Sequence, residues 1–210
     1  MPASKRLRTL TREIETLRKQ FLPSQFDPLG QYAEFARVQA HTRAFLVLSH
    51  AEVESYLEGW AKEIARASEV VWASTAKMSA PLTYLVATLA SRVVVSDTLQ
   101  GKKDTPTNFS DTATKLFQGY YKRINDNNGI KERNFLRLFS PLGIPGTVLG
   151  TTLLPNLDTL GAIRGTHAHQ SAKAVPSVLD PETEYKRVGA LLTDLAPVDQ
   201  WLVDYKRRIR

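Results

Sequence analysis

Residues 45–64 read FLVLSHAEVESYLEGWAKEI, and this stretch decides the fold class. Leu46, Ser49, Val53, Leu57, Trp60 and Ile64 recur every three or four positions. On a helix turning about 100° per residue, all of them fall within about 40° of Val53. A half-buried strand would need apolar and polar residues in alternation instead. His50 lies about 60° from Val53, at the edge of the apolar stripe, and Glu54 about 100° away, just beside it. Glu52 and Glu58 lie farther round. The stretch therefore belongs to one long amphipathic helix, expected over about residues 29–68.

The same period continues in both directions. Upstream, Leu7, Leu10, Ile14, Leu17 and Phe21 mark a helix over about residues 5–21, stopped by Pro23. Asp27-Pro28 reads as the start of the long helix, with aspartate capping and proline in the first position. Downstream, helices are expected over about residues 80–95, 112–125 and 132–139. A polar loop over about 97–111 separates the first two, Asn127-Asn128-Gly129 ends the second, and a rigid loop over about 141–150 follows the third. A sixth helix begins near Thr151 or Thr152, or after Pro155, and reaches about Ser171 with Leu153, Leu157, Leu160 and Ile163 on its apolar side. Asp180-Pro181 opens the last, which carries Val188, Leu191, Leu195, Val198, Leu202, Tyr205 and Ile209 and should kink at Pro197. The only strand-like run, Val93-Val94-Val95, is too short and has no partner. The expected fold is all-α, an up-and-down bundle of about six to seven helices. It forms a single domain over 1–210, with 172–210 a connector plus a C-terminal helix packing on the bundle.

Composition narrows the function classes. Hydrophobic residues are 42% and charged residues 23% of 210, which excludes wholesale disorder. The absence of cysteine excludes a disulfide scaffold, a cysteine nucleophile and a thiolate zinc site. With four histidines, His41, His50, His167 and His169, an all-histidine metal cage would consume nearly all of them. Phosphate-loop, HExxH and GxSxG patterns are missing. The net charge of +7 favours anionic partners, nucleic acid first. No stretch has the length and continuous apolarity of a membrane span, and the charged N-terminus is not a secretion signal, so a cytoplasmic protein without membrane partners is expected.

One cluster carries chemistry: Arg164-Gly165-Thr166-His167-Ala168-His169. Arginine grips a phosphate with a planar set of donors and keeps its charge. Histidine gives or takes a proton near neutral pH. RNA cleavage by the ribose 2′-hydroxyl needs both functions and no metal. On a continuous helix Arg164 and His169 are about 140° apart and about 7.5 Å along the axis, whereas His167 is about 60° from the arginine. One helix cannot easily aim Arg164 and His169 at one phosphate, but a two-fold pairing of two such helices can.

Arg164, four spacers and His169 resemble the Rx4-6H motif of the HEPN superfamily. The run from Leu157 to His169 is similar to the signature of its RiboL-PSP-type members. The run from Phe45 to Leu57 resembles the early helix of that group, in which an acidic residue, here Glu54, sits among apolar ones. The resemblance implies a homodimer with a composite active site. It implies metal-independent RNA cleavage with Arg164 and His169 catalytic, no cofactor, and His167 and Glu54 in support. It also implies a setting in toxin–antitoxin or anti-phage systems, with an antitoxin or operon-encoded regulator as a further partner. The chain departs from active members at Gly165, where they commonly carry Asn, Asp or His. Glycine offers no side-chain hydrogen bond and loosens a helix by about 1 kcal/mol relative to alanine.

Plainer readings stand beside these. Arg164 fits a surface arginine, and Glu54 a solvated helix charge. His50 fits a buried histidine bonded to a carbonyl. Basic residues at the two ends, Lys5, Arg6 and Arg8, and Lys206, Arg207 and Arg208, suit RNA phosphates but also suit an exposed face and a helix C-terminus. Three functions follow: a HEPN-type endoribonuclease, a catalytically inactive HEPN-like module binding RNA or protein, and a helical scaffold.

Overall fold

A computed structural model describes residues 3–99, 109–169 and 178–209, with side chains for all of these but 90–99 and 166–169. Among the described residues there are seven α-helices and no strand. They are α1 (Lys5–Phe21), α2 (Phe35–Thr75), α3 (Ala80–Leu99), α4 (Phe109–Asn125), α5 (Glu132–Phe139), α6 (Leu153–His169) and α7 (Pro181–Arg208). Two 3-10 turns, Ser140–Leu142 and Gly146–Val148, lie between α5 and α6. The chain is all-α, as its apolar period required.

The helices sort into two compact units. The first comprises Met1–Tyr56, Gly129–Arg133 and Thr147–Gln200, and the second Leu57–Asn128, Asn134–Gly146 and Trp201–Arg210.

In the first unit the apolar stripes meet one another. Leu7, Leu10 and Ile14 of α1, Phe45, Leu46 and Val53 of α2, Leu153, Leu157 and Leu160 of α6, and Val188, Leu191, Leu195 and Val198 of α7 are all buried. A buried carboxyl fastens three helices. Asp199 of α7 accepts hydrogen bonds from the Ser4 backbone N–H (2.8 Å), the Ser4 hydroxyl (2.6 Å) and the Tyr56 hydroxyl (3.0 Å). The same Ser4 hydroxyl oxygen accepts from the Leu7 N–H at 3.0 Å and so caps α1. Asp180 caps α7, taking the Thr183 N–H at 2.9 Å and its hydroxyl at 2.6 Å, and these bonds hold its carboxyl below the usual aspartate range.

In the second unit Leu57, Trp60 and Ile64 continue the α2 stripe into a core with Leu82, Leu85, Leu116, Phe117, Tyr120, Phe135, Leu138 and Phe139. α3 packs on α4 and on the turn Ser140–Leu142. The buried Tyr120 hydroxyl donates to the Leu138 carbonyl at 2.5 Å.

Several helix ends differ from the expected ones. α2 starts at Phe35, not near residue 29, because Asp27 makes a turn instead of a cap. Its side chain accepts from the Leu29 N–H at 2.8 Å, its carbonyl accepts from Gly30 at 3.0 Å, and Gly30 adopts a left-handed φ of +65°. At its other end α2 passes Ser68, whose buried hydroxyl meets that of Ser79 at 2.6 Å, and stops at Thr75 before Ala76 with φ +54°. Of the polar loop expected over about 97–111, the first residues belong to α3, which reaches Leu99, and the last to α4, which begins at Phe109, while 100–108 lie outside the described residues. α7 runs on through Pro197.

Candidate functional site

The site is built on one face of α2 in the first unit. Gln39, Arg43, His50 and Glu54 fall within about 60° of one another around that helix. Gln39 anchors the face to the chain leading into α7: its amide donates to the Leu179 carbonyl at 2.7 Å and accepts from the Leu179 N–H at 2.8 Å. His50 is 2% exposed. Its Nδ1 lies 3.8 Å from Glu54 Oε2, beyond hydrogen-bond length but well inside electrostatic reach.

A short connecting segment positions α6 against this face. Glu54 accepts a hydrogen bond from the Gly129 N–H. Three residues later, Asp158 of α6 accepts from the Glu132 N–H at 2.7 Å. Gly129–Arg133 is thus tied to α2 at one end and to α6 at the other. Its Lys131 lies directly over Gly161 of α6, where an added Cβ would sit 2.7 Å from Lys131 Cγ. Glycine is needed there for the approach. One turn further on, Arg164 comes within electrostatic range of His50.

These surroundings set the charge of His50. Burial pushes its pKa below the usual 6.5, Glu54 opposes that, and the Arg164 guanidinium adds to it. The imidazole is therefore neutral at pH 7, with a carboxylate 3.8 Å away and a guanidinium within electrostatic range. A neutral imidazole accepts a proton, and an arginine binds an anion.

The structure brings two of the sequence candidates, Arg164 and Glu54, within electrostatic range of His50. The helix backbone of α6 continues through His167 and His169, while their side chains lie outside the described ones. Arg164 and His169 therefore share one continuous helix. Among the described residues, no atom lies within 4 Å of the position a Cβ would take at Gly165. Lys5, Arg6 and Arg8 occupy the first turns of α1 in the first unit. Arg8 donates to the Ala3 carbonyl. Lys206, Arg207 and Arg208 close α7 in the second unit. Lys206 pairs with Glu63 at 2.5 Å and Arg207 with Asp204 at 3.3 Å. His41 packs edge-on to Phe21, 6.1 Å between ring centres.

Arg43 escaped the sequence reading. Its Nε is buried and has no hydrogen-bond partner, as is the hydroxyl of Ser49 beside His50. The available signal was spacing: Arg43, His50 and Glu54 follow at intervals of seven and four, which is one helical face. Among the described residues no three His, Asp or Glu side chains converge as a metal site. No described helix is long and apolar enough to cross a membrane.

Comparison with family models, with curated proteins and with solved structures finds no match to this chain.

Proposed function

We propose that the protein is a metal-independent endoribonuclease of HEPN type. The observation that supports this most is that the motif arginine, Arg164 on α6, and the early-helix acid, Glu54 on α2, both lie within electrostatic range of the buried His50. In this reading two subunits pair across a two-fold, so that Arg164 of one protomer and His169 of its partner share one cleft. Arg164 binds the scissile phosphate and stabilises the charge that builds there. His169 moves the proton, and the ribose 2′-hydroxyl attacks to leave a 2′,3′-cyclic phosphate and a 5′-hydroxyl. His167 and Glu54 support these groups. Growth inhibition released on infection or stress, with an antitoxin holding the enzyme in check, is the matching physiological role.

Gly165 favours a second reading. It supplies no side chain where active members of the family carry a polar one, which suits a catalytically inactive module that binds RNA or a protein. Expression in a bacterial host separates the two. A nuclease depresses growth and degrades RNA, His169→Ala abolishes both effects, and EDTA leaves cleavage unchanged. Equal growth and intact RNA with either chain would select the binding module, and loss of cleavage in EDTA would overturn the metal-free route.

A further inference from the structure

The second unit holds a groove of about 380 Å³ lined by Tyr84, Gly143, Pro145, Trp201, Tyr205 and Arg208 among others. That is within the usual size of a small-molecule site, about 300–1,000 Å³. Its walls are flat rings. Trp201 and Tyr205, one turn apart on α7, stack with 4.4 Å between centres and 23° between planes. Tyr205 is locked in place, because its hydroxyl donates to the Leu142 carbonyl at 2.6 Å. Tyr84 of α3 is 46% exposed, a large amount for an aromatic ring. It lies on Gly143, whose φ is +82° and whose missing Cβ would sit 2.1 Å from the ring. The turn is thus shaped to receive that ring. The Arg208 guanidinium stands 6.0 Å from the Tyr205 ring centre. Among the described residues it is the one charged lining side chain, and none of them lines the groove with a carboxylate.

Aromatic faces with a neighbouring arginine and no acid suit a nucleobase joined to a phosphate. We propose that this groove binds one nucleotide of a single-stranded RNA, the base stacking on Tyr84 and Trp201 and the phosphate meeting Arg208. The site rests on the RNA part of the reading above and not on cleavage.

The test uses the full chain and a fluorescent 2′-O-methyl RNA decamer, which lacks the nucleophile for cleavage, with binding followed by anisotropy. The wild type binds. Tyr84→Ala weakens binding about tenfold, as loss of one stacked base requires, and Tyr84→Phe restores it. Arg208→Ala weakens binding and reduces the salt slope by about one. Both changed side chains are exposed, and thermal melting checks that the variants stay folded. Three outcomes overturn the site: no binding by wild type, folded variants that bind like wild type, or AMP or a duplex of equal length binding as tightly as the strand. A chain that binds the decamer but cleaves no RNA would remove the nuclease reading and leave this one standing.

Discussion

Two buried polar groups in the first unit are treated in opposite ways. Asp199, 1% exposed, accepts three hydrogen bonds that join α1, α2 and α7. His50, 2% exposed, has a carboxylate 3.8 Å away and a guanidinium within electrostatic range. The first arrangement is a fastening, in which every donor supplied is used. The second holds an imidazole neutral against a cation. Burial alone does not separate structure from chemistry; the partners do.

The contrast breaks first at Asp199. Asp199→Ala leaves the Ser4 and Tyr56 donors without their acceptor and should cost about 2–4 kcal/mol in urea unfolding. A loss near zero would mean the carboxyl is not a fastening. Changes around His50 should instead alter titration and activity more than stability. Arg164→Ala should lower RNA cleavage by about 100-fold or more, and should raise the His50 pKa seen by NMR because a cation has been removed. Glu54→Gln should move that pKa the other way. A His50 resonance that ignores both substitutions would separate it from the site.

The pH dependence of stability sharpens the same point. With the folded pKa of His50 below 6.5, the unfolded chain binds the extra proton first as pH falls. The contribution from this group is complete above pH 6.5, falls as pH drops below that value, and levels off once the folded form is also protonated. His50→Gln should flatten this part of the profile in urea titrations at graded pH.

The smallest effects belong to two glycines of α6. Gly161→Ala would force Lys131 aside, so the usual gain from replacing a helical glycine should turn into a loss of about 1 kcal/mol. Gly165→Ala meets no atom within 4 Å among the described residues and should stabilise the helix by about 0.5–1 kcal/mol. Equal responses in thermal melts would show that the Gly129–Arg133 segment does not hold α6 in place.

Much of this architecture could be read in advance. The bounds of α1 and α5 follow from apolar spacing, with Pro23 just beyond the first and Asn127-Asn128-Gly129 ahead of the second. The start of α2 did not follow, because Asp27-Pro28 suits a helix cap and a turn equally, and the left-handed Gly30 selects the turn. Arg164 and Glu54 were candidates through their motif and helix pattern. Arg43 and the meeting at His50 were not, since an arginine on an amphipathic helix normally reaches water.

Helix period, proline stops and a chain without cysteine are local properties, and they were enough for an all-α protein with a histidine-bearing late helix. Which polar groups lose water is a matter of packing. His50 is neutral because helices distant in sequence close over it and bring Arg164 near. Tyr84 and Trp201 line one groove because the turn at Gly143 admits a ring. Desolvation and electric field depend on neighbours in space, and a linear pattern carries neither.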